Sequence, residues 1–201
     1  MAGQERNLVR KSSQSGLAIG LECVLPKVQK HGADPQEQAM NYQQLGLLNE
    51  ARLQYIAAEQ HYLRALELLT SAQASHSMLW ASTARNLSLL YSKTERVSLA
   101  RWYARRALGV CQDHNQRHPE VIKTMAFYGA LLFQLKHYHS AARYLRRAYL
   151  NGKLAGEGSQ QFTADITDLL ADAYRKCGSL ARSAACEAIS RRLRQNNAAA
   201  Y

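Results

Sequence analysis

With 201 residues, the chain is long enough to bury a substantial core, and length alone allows either one domain or a short array of repeats. Only three prolines and eleven glycines, in a sequence rich in Ala, Leu, Arg and Gln, favour an all-α fold over a β-sandwich or a barrel. The formal charge of +11 favours acidic partners such as nucleic acid, a tubulin-like surface or anionic lipid.

The sequence argues against a membrane span and against a secreted disulfide scaffold. No apolar run approaches the ~20 residues that a membrane helix requires. The four cysteines, at positions 23, 111, 177 and 186, form no CxxC pair and are too sparse for a disulfide framework. We therefore expect reduced thiols and a cytoplasmic, intracellular location.

Residues 1–37 are predicted to form an N-terminal extension. Residues 1–16 contain Arg, Lys and Ser, as a mitochondrial presequence does, but Glu5 and the poor apolar periodicity argue against mitochondrial import, which stays a minor alternative. Residues 17–30 are apolar enough to form a helix that packs on the first repeat and is kinked or ended by Pro26. The alternative is a flexible tail.

Four similar segments predict a helical repeat. In each, one small residue takes the same position, at spacings of 42, 41 and 42: Ala58, Ala100, Ala141 and Ser183. Each segment has two apolar blocks of helical periodicity around a short polar turn, which predicts a helical hairpin. The predicted fold is an all-α superhelix, or solenoid, of four hairpins at about 38–79, 80–120, 121–162 and 163–195, with a tail at 196–201.

Small residues are expected where the two helices of a hairpin cross. The second helices carry the residues that define the period, and the first helices carry Gly46, Ser88, Gly129 and Ala171. These residues let the two backbones approach closely. A leucine there would overpack the contact, at a cost of ~1–3 kcal/mol.

The first segment has an aromatic residue, Leu-Gly and Ala-x3-aromatic as Tyr42, Leu45, Gly46, Ala58 and Tyr62, and by this pattern the chain resembles the tetratricopeptide repeats (TPR). The other segments keep part of the pattern as Leu87, Tyr91, Ala100 and Ala107, as Gly129, Tyr138, Ala141 and Ala148, and as Leu170, Tyr174 and Gly178. The long period and the motifs "RHPEV", "YARRAL" and "YLRRAY" are similar to those of the kinesin light chain subgroup.

The stretch "CQDHNQRHP" places Cys111, His114 and His118 close together and raises the question of a metal site. No other segment has a matching set, and zinc would require a fourth ligand, so no metal is expected. In repeats of the resembled type, His-Pro starts the next first helix. Pro119 needs no amide donor there, and Glu120 complements the helix dipole.

The resemblance implies a concave groove, lined by the first helices, that binds a partner protein. By the register of the family, its partner-binding residues are Gln43, Gln44, Leu47, Arg85, Asn86, Leu89, Lys93, Lys123, Phe127, Ala130, Phe133, Asp165, Asp168 and Asp172, with Met40, Glu50, Ser92, Ala126, Arg175 and Lys176 at further groove positions. Asn86 matches an asparagine that binds a peptide backbone in kinesin-light-chain-like repeats, since an amide both donates and accepts. The alternative is that these positions are solvated or packed in a degenerate scaffold.

The second helices carry paired arginines, which form a predicted basic ridge: Arg101, Arg105, Arg106, Arg143, Arg146 and Arg147. No carboxylate occurs between Glu120 and Glu157, so this segment should have the strongest positive field. The ridge could meet phosphates or an acidic protein surface, or it could be an ordinary solvated face. No aromatic residues are expected to interleave with the arginines for base stacking, which disfavours RNA recognition.

No phosphate-binding Gly-rich loop, GxSxG or HExxH motif is present, so neither enzymatic activity nor a cofactor is expected. The predicted function is a scaffold or adaptor that binds a peptide segment of a partner protein in the groove. Two alternatives stay open. The chain is a structural subunit of a larger assembly, docked through its basic convex face, or it binds nucleic acid with that face.

Overall fold

The computed structural model describes residues 34–155 and 160–198, so the helix predicted at 17–30 lies outside the described residues. The described residues form eight α-helices and no strand, which confirms the predicted all-α fold. The helices are α1 (Pro35–Ala51), α2 (Tyr55–Ser71), α3 (Met78–Lys93), α4 (Val97–Gln112), α5 (Pro119–Gln134), α6 (Tyr138–Ala155), α7 (Gln160–Lys176) and α8 (Leu180–Ala198). None of them has both the length and the apolar composition that crossing a lipid bilayer requires.

Local chemistry fixes where several helices begin. Pro35 and Pro119 stand in the first turns of α1 and α5, where a missing amide hydrogen costs nothing. The Ser77 side chain accepts a hydrogen bond from the Trp80 amide at 3.1 Å and caps α3. These starts follow directly from short sequence motifs.

The turns after α1, α3, α5 and α7 share one left-handed residue, with φ of 62°, 60°, 63° and 77°: Leu53, Glu95, Lys136 and Gly178. In each turn the next residue's amide donates to the carbonyl five residues earlier, at 2.8–2.9 Å. This is the hydrogen bond of a Schellman motif, which closes a helix C-terminus. The four residues lie 42, 41 and 42 apart, so the turn repeats with the sequence period.

Backbone contacts divide the chain into two compact units, one ending at Arg96 and the other beginning at Val97. In the described part of the first unit, α1 packs on α2, and α3 contacts both. In the second unit, α4 to α8 pack each against the next, and α5 also contacts α7. Each unit therefore places two first helices of the predicted repeats side by side.

Two glycines mark close approaches between helices. A Cβ atom on Gly46 would lie 2.4 Å from the ring of Tyr62 in α2, and one on Gly129 would lie 2.7 Å from Leu145 Cγ in α6. The other small residues expected at helix crossings are also buried: Ala58, Ser88, Ala100, Ala141, Ala171 and Ser183. The absence of a side chain at Gly46 and Gly129 thus allows the close contacts of α1 with α2 and of α5 with α6.

Candidate functional site

In the first unit, the predicted groove residues lie on α1 and α3, and several make polar contacts with neighbouring side chains. Gln43 Nε2 donates to Ser82 Oγ at 2.8 Å. Lys93 Nζ lies 2.6 Å from Glu50 Oε1, and Glu50, only 9% exposed, also accepts a hydrogen bond from the Tyr62 hydroxyl at 2.9 Å. Glu50 and Lys93 thus tie α1 to α3, and this part of the predicted groove has little net charge.

The hydrogen bond between Tyr62 and Glu50 also affects the pKa of the Tyr62 hydroxyl. Its burial and the neighbouring Glu50 carboxylate raise its pKa far above the usual value of 10. The hydroxyl therefore stays protonated and keeps donating to Glu50. A buried tyrosine with its hydroxyl satisfied by a carboxylate holds the ring in a fixed position against Gly46.

Other predicted groove residues of the first unit differ in exposure. Asn86, expected to bind a peptide backbone, is 8% exposed, and Arg85 and Leu89 are half-buried. On α1, Met40, Gln44 and Leu47 are exposed, and their spacing places them on one helical face. The accessible part of this surface is therefore more apolar than the sequence suggested.

In the second unit, the charged groove residues are paired with neighbours. Lys123 binds Glu120 at 2.7 Å. The aspartates of α7, expected to form an acidic end, are met by arginines: Asp165 and Asp168 lie 3.6 and 2.5 Å from Arg194 of α8, and Asp172 lies 2.9 Å from Arg175. The acidic stripe is thereby neutralised by Arg175, itself a predicted groove position, and by Arg194, which the groove prediction did not include.

The apolar groove residues of the second unit, Phe127, Ala130 and Phe133, are half-buried. The Phe133 ring packs edge-to-face on Tyr138, with centroids 5.4 Å apart. This contact occupies one edge of the ring, so Phe133 is partly a packing residue.

The six arginines of the predicted basic ridge are all exposed, three on α4 and three on α6. Within the part of the chain that the structure describes, Arg101, Arg105, Arg143 and Arg146 make no ion pair. Arg147 donates to Gln116 at 2.9 Å, a neutral partner. These guanidinium groups therefore keep their positive charge facing solvent.

The positive charge of the chain is concentrated in the second unit. Residues 97–201 contain sixteen Lys and Arg against seven Asp and Glu, whereas residues 1–96 contain ten against eight. Because arginine remains ionised at every physiological pH, this asymmetry is permanent. An acidic partner would be attracted mainly to the second unit.

The expectation that no aromatic residue interleaves with the ridge arginines is wrong. Trp102 is 49% exposed, and its ring lies under the Arg106 guanidinium, 4.8 Å from the centroid. Arg143 lies over the Tyr144 ring at 5.3 Å. Trp102 precedes Arg106 by four residues and Tyr144 directly follows Arg143, so both aromatic residues were visible in the sequence. They make the ridge partly aromatic.

An open cleft of about 890 Å³ lies beside the α6 part of the ridge. Its walls come from α6, the end of α7 and the start of α8, and they are His139, Ala142, Arg143, Tyr144, Arg146, Arg147, Leu150, Asn151, Tyr174, Cys177, Ser179 and Arg182. Four arginines and no carboxylate line it. The sequence gap without carboxylates predicted the α6 side, but nothing in the sequence placed Arg182 opposite it.

The stretch from Cys111 to Pro119 forms a helix end and a helix start. Gln116 Nε2 donates to the carbonyls of Cys111 and His114, both at 2.9 Å. His118 Nδ1 accepts from the Glu120 amide at 3.3 Å and caps α5. Among the described residues, no three His, Cys, Asp or Glu side chains are grouped to hold a metal ion.

No protein-family model and no curated protein matches the chain in sequence. Solved structures do match its fold. BtubC (BKLC) from P. vanneervenii is 18% identical over 96% of this chain and 76% of that chain, with a TM-score of 0.79. The nearly identical TPR-like repeats of a kinesin light chain protein from Podosopora anserina are 12% identical over 96% and 95%, with a TM-score of 0.69.

The apo form of RapI matches at 14% identity over 94% of this chain and 79% of that chain, with a TM-score of 0.65. At these identities the comparison concerns the fold alone. The eight helices and these neighbours agree with the motifs read from the sequence. The chain has the all-α helical-repeat fold of the TPR solenoids, similar to kinesin-light-chain-like repeats.

Proposed function

We propose that this chain is a non-enzymatic protein-interaction scaffold that docks an acidic partner protein on its basic ridge. The observation that carries the proposal is the exposure of six arginines on α4 and α6, in the unit that holds most of the positive charge. TPR-type folds support a protein-binding role in general. A fold alone names no partner, so the choice of surface rests on the side chains.

The charge distribution favours the basic ridge over the predicted groove as the docking surface for an acidic partner. A single exposed ion pair contributes only ~0–1 kcal/mol, so an acidic partner needs several contacts at once. The ridge offers several guanidinium groups with no carboxylate partner among the described residues, whereas Lys93, Lys123 and the α7 aspartates of the groove already have partners. Binding at the ridge therefore displaces fewer existing contacts.

The test is affinity purification of the tagged chain from its native cells, with nuclease treatment, before and after charge reversal. The ridge variant is Arg105→Glu/Arg106→Glu/Arg146→Glu/Arg147→Glu. A control with the same change in net charge reverses exposed cations outside the ridge: Arg117, Lys136, Lys176 and Arg192. A protein lost only from the ridge variant supports the proposal.

Two outcomes would count against this function. Partners that remain on the ridge variant would show that the arginines are a solvated face. Partners that leave after nuclease treatment alone would identify nucleic acid as the ligand, and the binding should then weaken steeply between low and 0.2 M salt.

A second candidate is an extended peptide bound by the first unit. It is favoured by Met40 and Leu47, each 47% exposed on α1, which contacts α3. Leu47→Glu should then abolish binding of a short segment of the partner. Ile56→Glu, at a position 78% exposed outside the predicted groove, is the matched control. Equal effects of both changes would rule out specific recognition at α1.

A further inference from the structure

The cleft beside α6 has the shape of a site for an extended chain. Six of its lining residues on α6 recur at intervals of one or three and form one stripe along the helix: His139, Ala142, Arg143, Arg146, Arg147 and Leu150. At 1.5 Å per residue, the stripe is roughly 16–18 Å long. An extended peptide rises about 3.3 Å per residue, so about five residues would lie along it.

The charge of the cleft selects the chemistry of its ligand. Arg143, Arg146 and Arg182 line it, and none of the three makes an ion pair among the described residues. Asp and Glu are missing from the lining. Each guanidinium offers several donors suited to a carboxylate, so a ligand with carboxylates would satisfy donors that no described carboxylate meets.

Two of these arginines are already held by aromatic rings. Arg143 lies 5.3 Å from the centroid of Tyr144, and Arg182 lies 5.7 Å from that of Tyr174. Such stacking restricts a long side chain before binding, which lowers the entropy lost when a ligand arrives. The two arginines come from α6 and α8, so they reach the ligand from different walls of the cleft.

We propose that this cleft binds an extended acidic segment of about five residues from a partner protein, with Asp or Glu carboxylates accepting hydrogen bonds from Arg143, Arg146 and Arg182. This inference rests on the proposed function and assigns binding of the partner to the cleft beside the α6 part of the ridge. The arginines come from two walls of the cleft, Arg143 and Arg146 from α6 and Arg182 from α8, which suits separate carboxylates better than a single phosphate. Stacked bases would need Tyr144 and Tyr174, each of which already has an arginine over the ring.

Fluorescence anisotropy of a fluorescein-labelled pentaglutamate peptide tests the proposal on the full chain. Arg143→Gln/Arg182→Gln, which changes two different walls of the cleft, should weaken binding at least tenfold. Arg101→Gln/Arg105→Gln removes the same charge from the α4 part of the ridge and should change the affinity by less than twofold. A pentaglutamine peptide should not bind.

Thiol labelling gives an independent readout, because Cys177 lines the cleft whereas Cys111 and Cys186 are buried. In a Cys23→Ser background, saturating pentaglutamate should slow the reaction of Cys177 at least threefold. The protection should vanish in Arg143→Gln/Arg182→Gln. Unchanged labelling at saturation would overturn the assignment even if the peptide binds.

The remaining outcomes separate the cleft from the ridge as a whole. If both double variants weaken the peptide equally, the cleft assignment fails, while the proposed function stands as long as charge reversal still releases the native partner. If a (dT)10 oligonucleotide or a phosphoserine peptide displaces pentaglutamate at a much lower concentration than pentaglutamate itself, the ligand class is wrong.

Discussion

Replacing Gly46 with alanine should destabilise the protein, although alanine is the better helix former. The new Cβ atom would lie 2.4 and 2.5 Å from two ring carbons of Tyr62, distances that non-bonded carbon atoms do not tolerate. The ring cannot move away freely, since Tyr62 is fully buried and its hydroxyl binds Glu50 at 2.9 Å. Relief of the clash must therefore shift α1, α2 or both.

Three contributions set the expected change in the free energy of unfolding, two of them destabilising and one stabilising. Overpacking a core contact costs ~1–3 kcal/mol. A shift of the ring also weakens a hydrogen bond to a charged group, worth ~1.5–3 kcal/mol when lost outright. Against this, alanine gains ~1 kcal/mol over glycine in a helix interior. We expect a net loss of about 1–4 kcal/mol in the free energy of unfolding.

Gly109 provides the matched control, because it is also inside a helix but is exposed, and a Cβ atom there would meet nothing within 4 Å. Gly109→Ala should stabilise by ~0.5–1 kcal/mol. Urea unfolding followed by circular dichroism at 222 nm measures both changes. A stabilisation by Gly46→Ala similar to that by Gly109→Ala would show that a Cβ atom at position 46 does not clash with the Tyr62 ring.

A double-mutant cycle locates the cause of the Gly46 effect. In a Tyr62→Leu background the ring is gone, so the additional cost of Gly46→Ala should fall by at least 1 kcal/mol. An unchanged cost would place the clash elsewhere.

Four further predictions concern packing, the turns, pH and the thiols. Gly129→Ala should cost ~1–3 kcal/mol in urea unfolding, because its Cβ would lie 2.7 Å from a leucine of α6 and 3.2 Å from a backbone nitrogen. Lys136→Gly should stabilise by up to ~1 kcal/mol, because the left-handed φ of 63° is costly for a residue with a Cβ. Since burial raises the pKa of Tyr62, the protein should lose stability as pH rises above ~10, the unfolded value, and Tyr62→Phe should lose less over that range. Of the three described cysteines, Cys177 should react fastest with a thiol reagent in the native protein, because the other two are buried.

Each of these predictions has a contradicting result. Gly129→Ala that behaves like Gly109→Ala would mean that α5 and α6 can move apart without cost. Lys136→Gly that destabilises would mean that glycine's extra unfolded-state entropy outweighs the relief of strain. Parallel alkaline unfolding curves for the wild type and Tyr62→Phe would contradict the raised pKa. Equal labelling of all three cysteines would contradict the burial of Cys111 and Cys186.

Much of the fold is determined by interactions between residues close in the chain and can therefore be predicted from the sequence. The period of about 42 residues and the apolar blocks predicted the all-α helical repeat, since helical periodicity depends on residues near one another in the chain. The start of α5 followed from His118-Pro119-Glu120 in the same way. The left-handed residue of each predicted turn was not foreseen, because only Gly178 among these four positions is a glycine.

The charge pairing of the predicted groove and the cleft beside the ridge depends on contacts between residues that are distant in the sequence. Register identified Lys93, Asp165 and Asp168 as groove positions, but not that Glu50 and Arg194 would pair with them. The arginine pairs on α4 and α6 were visible in sequence, yet the cleft needs Arg182 from the next repeat. A side chain's charge and helical face are set locally, whereas its partner is set by which helices the fold brings together, and only the tertiary structure decides that.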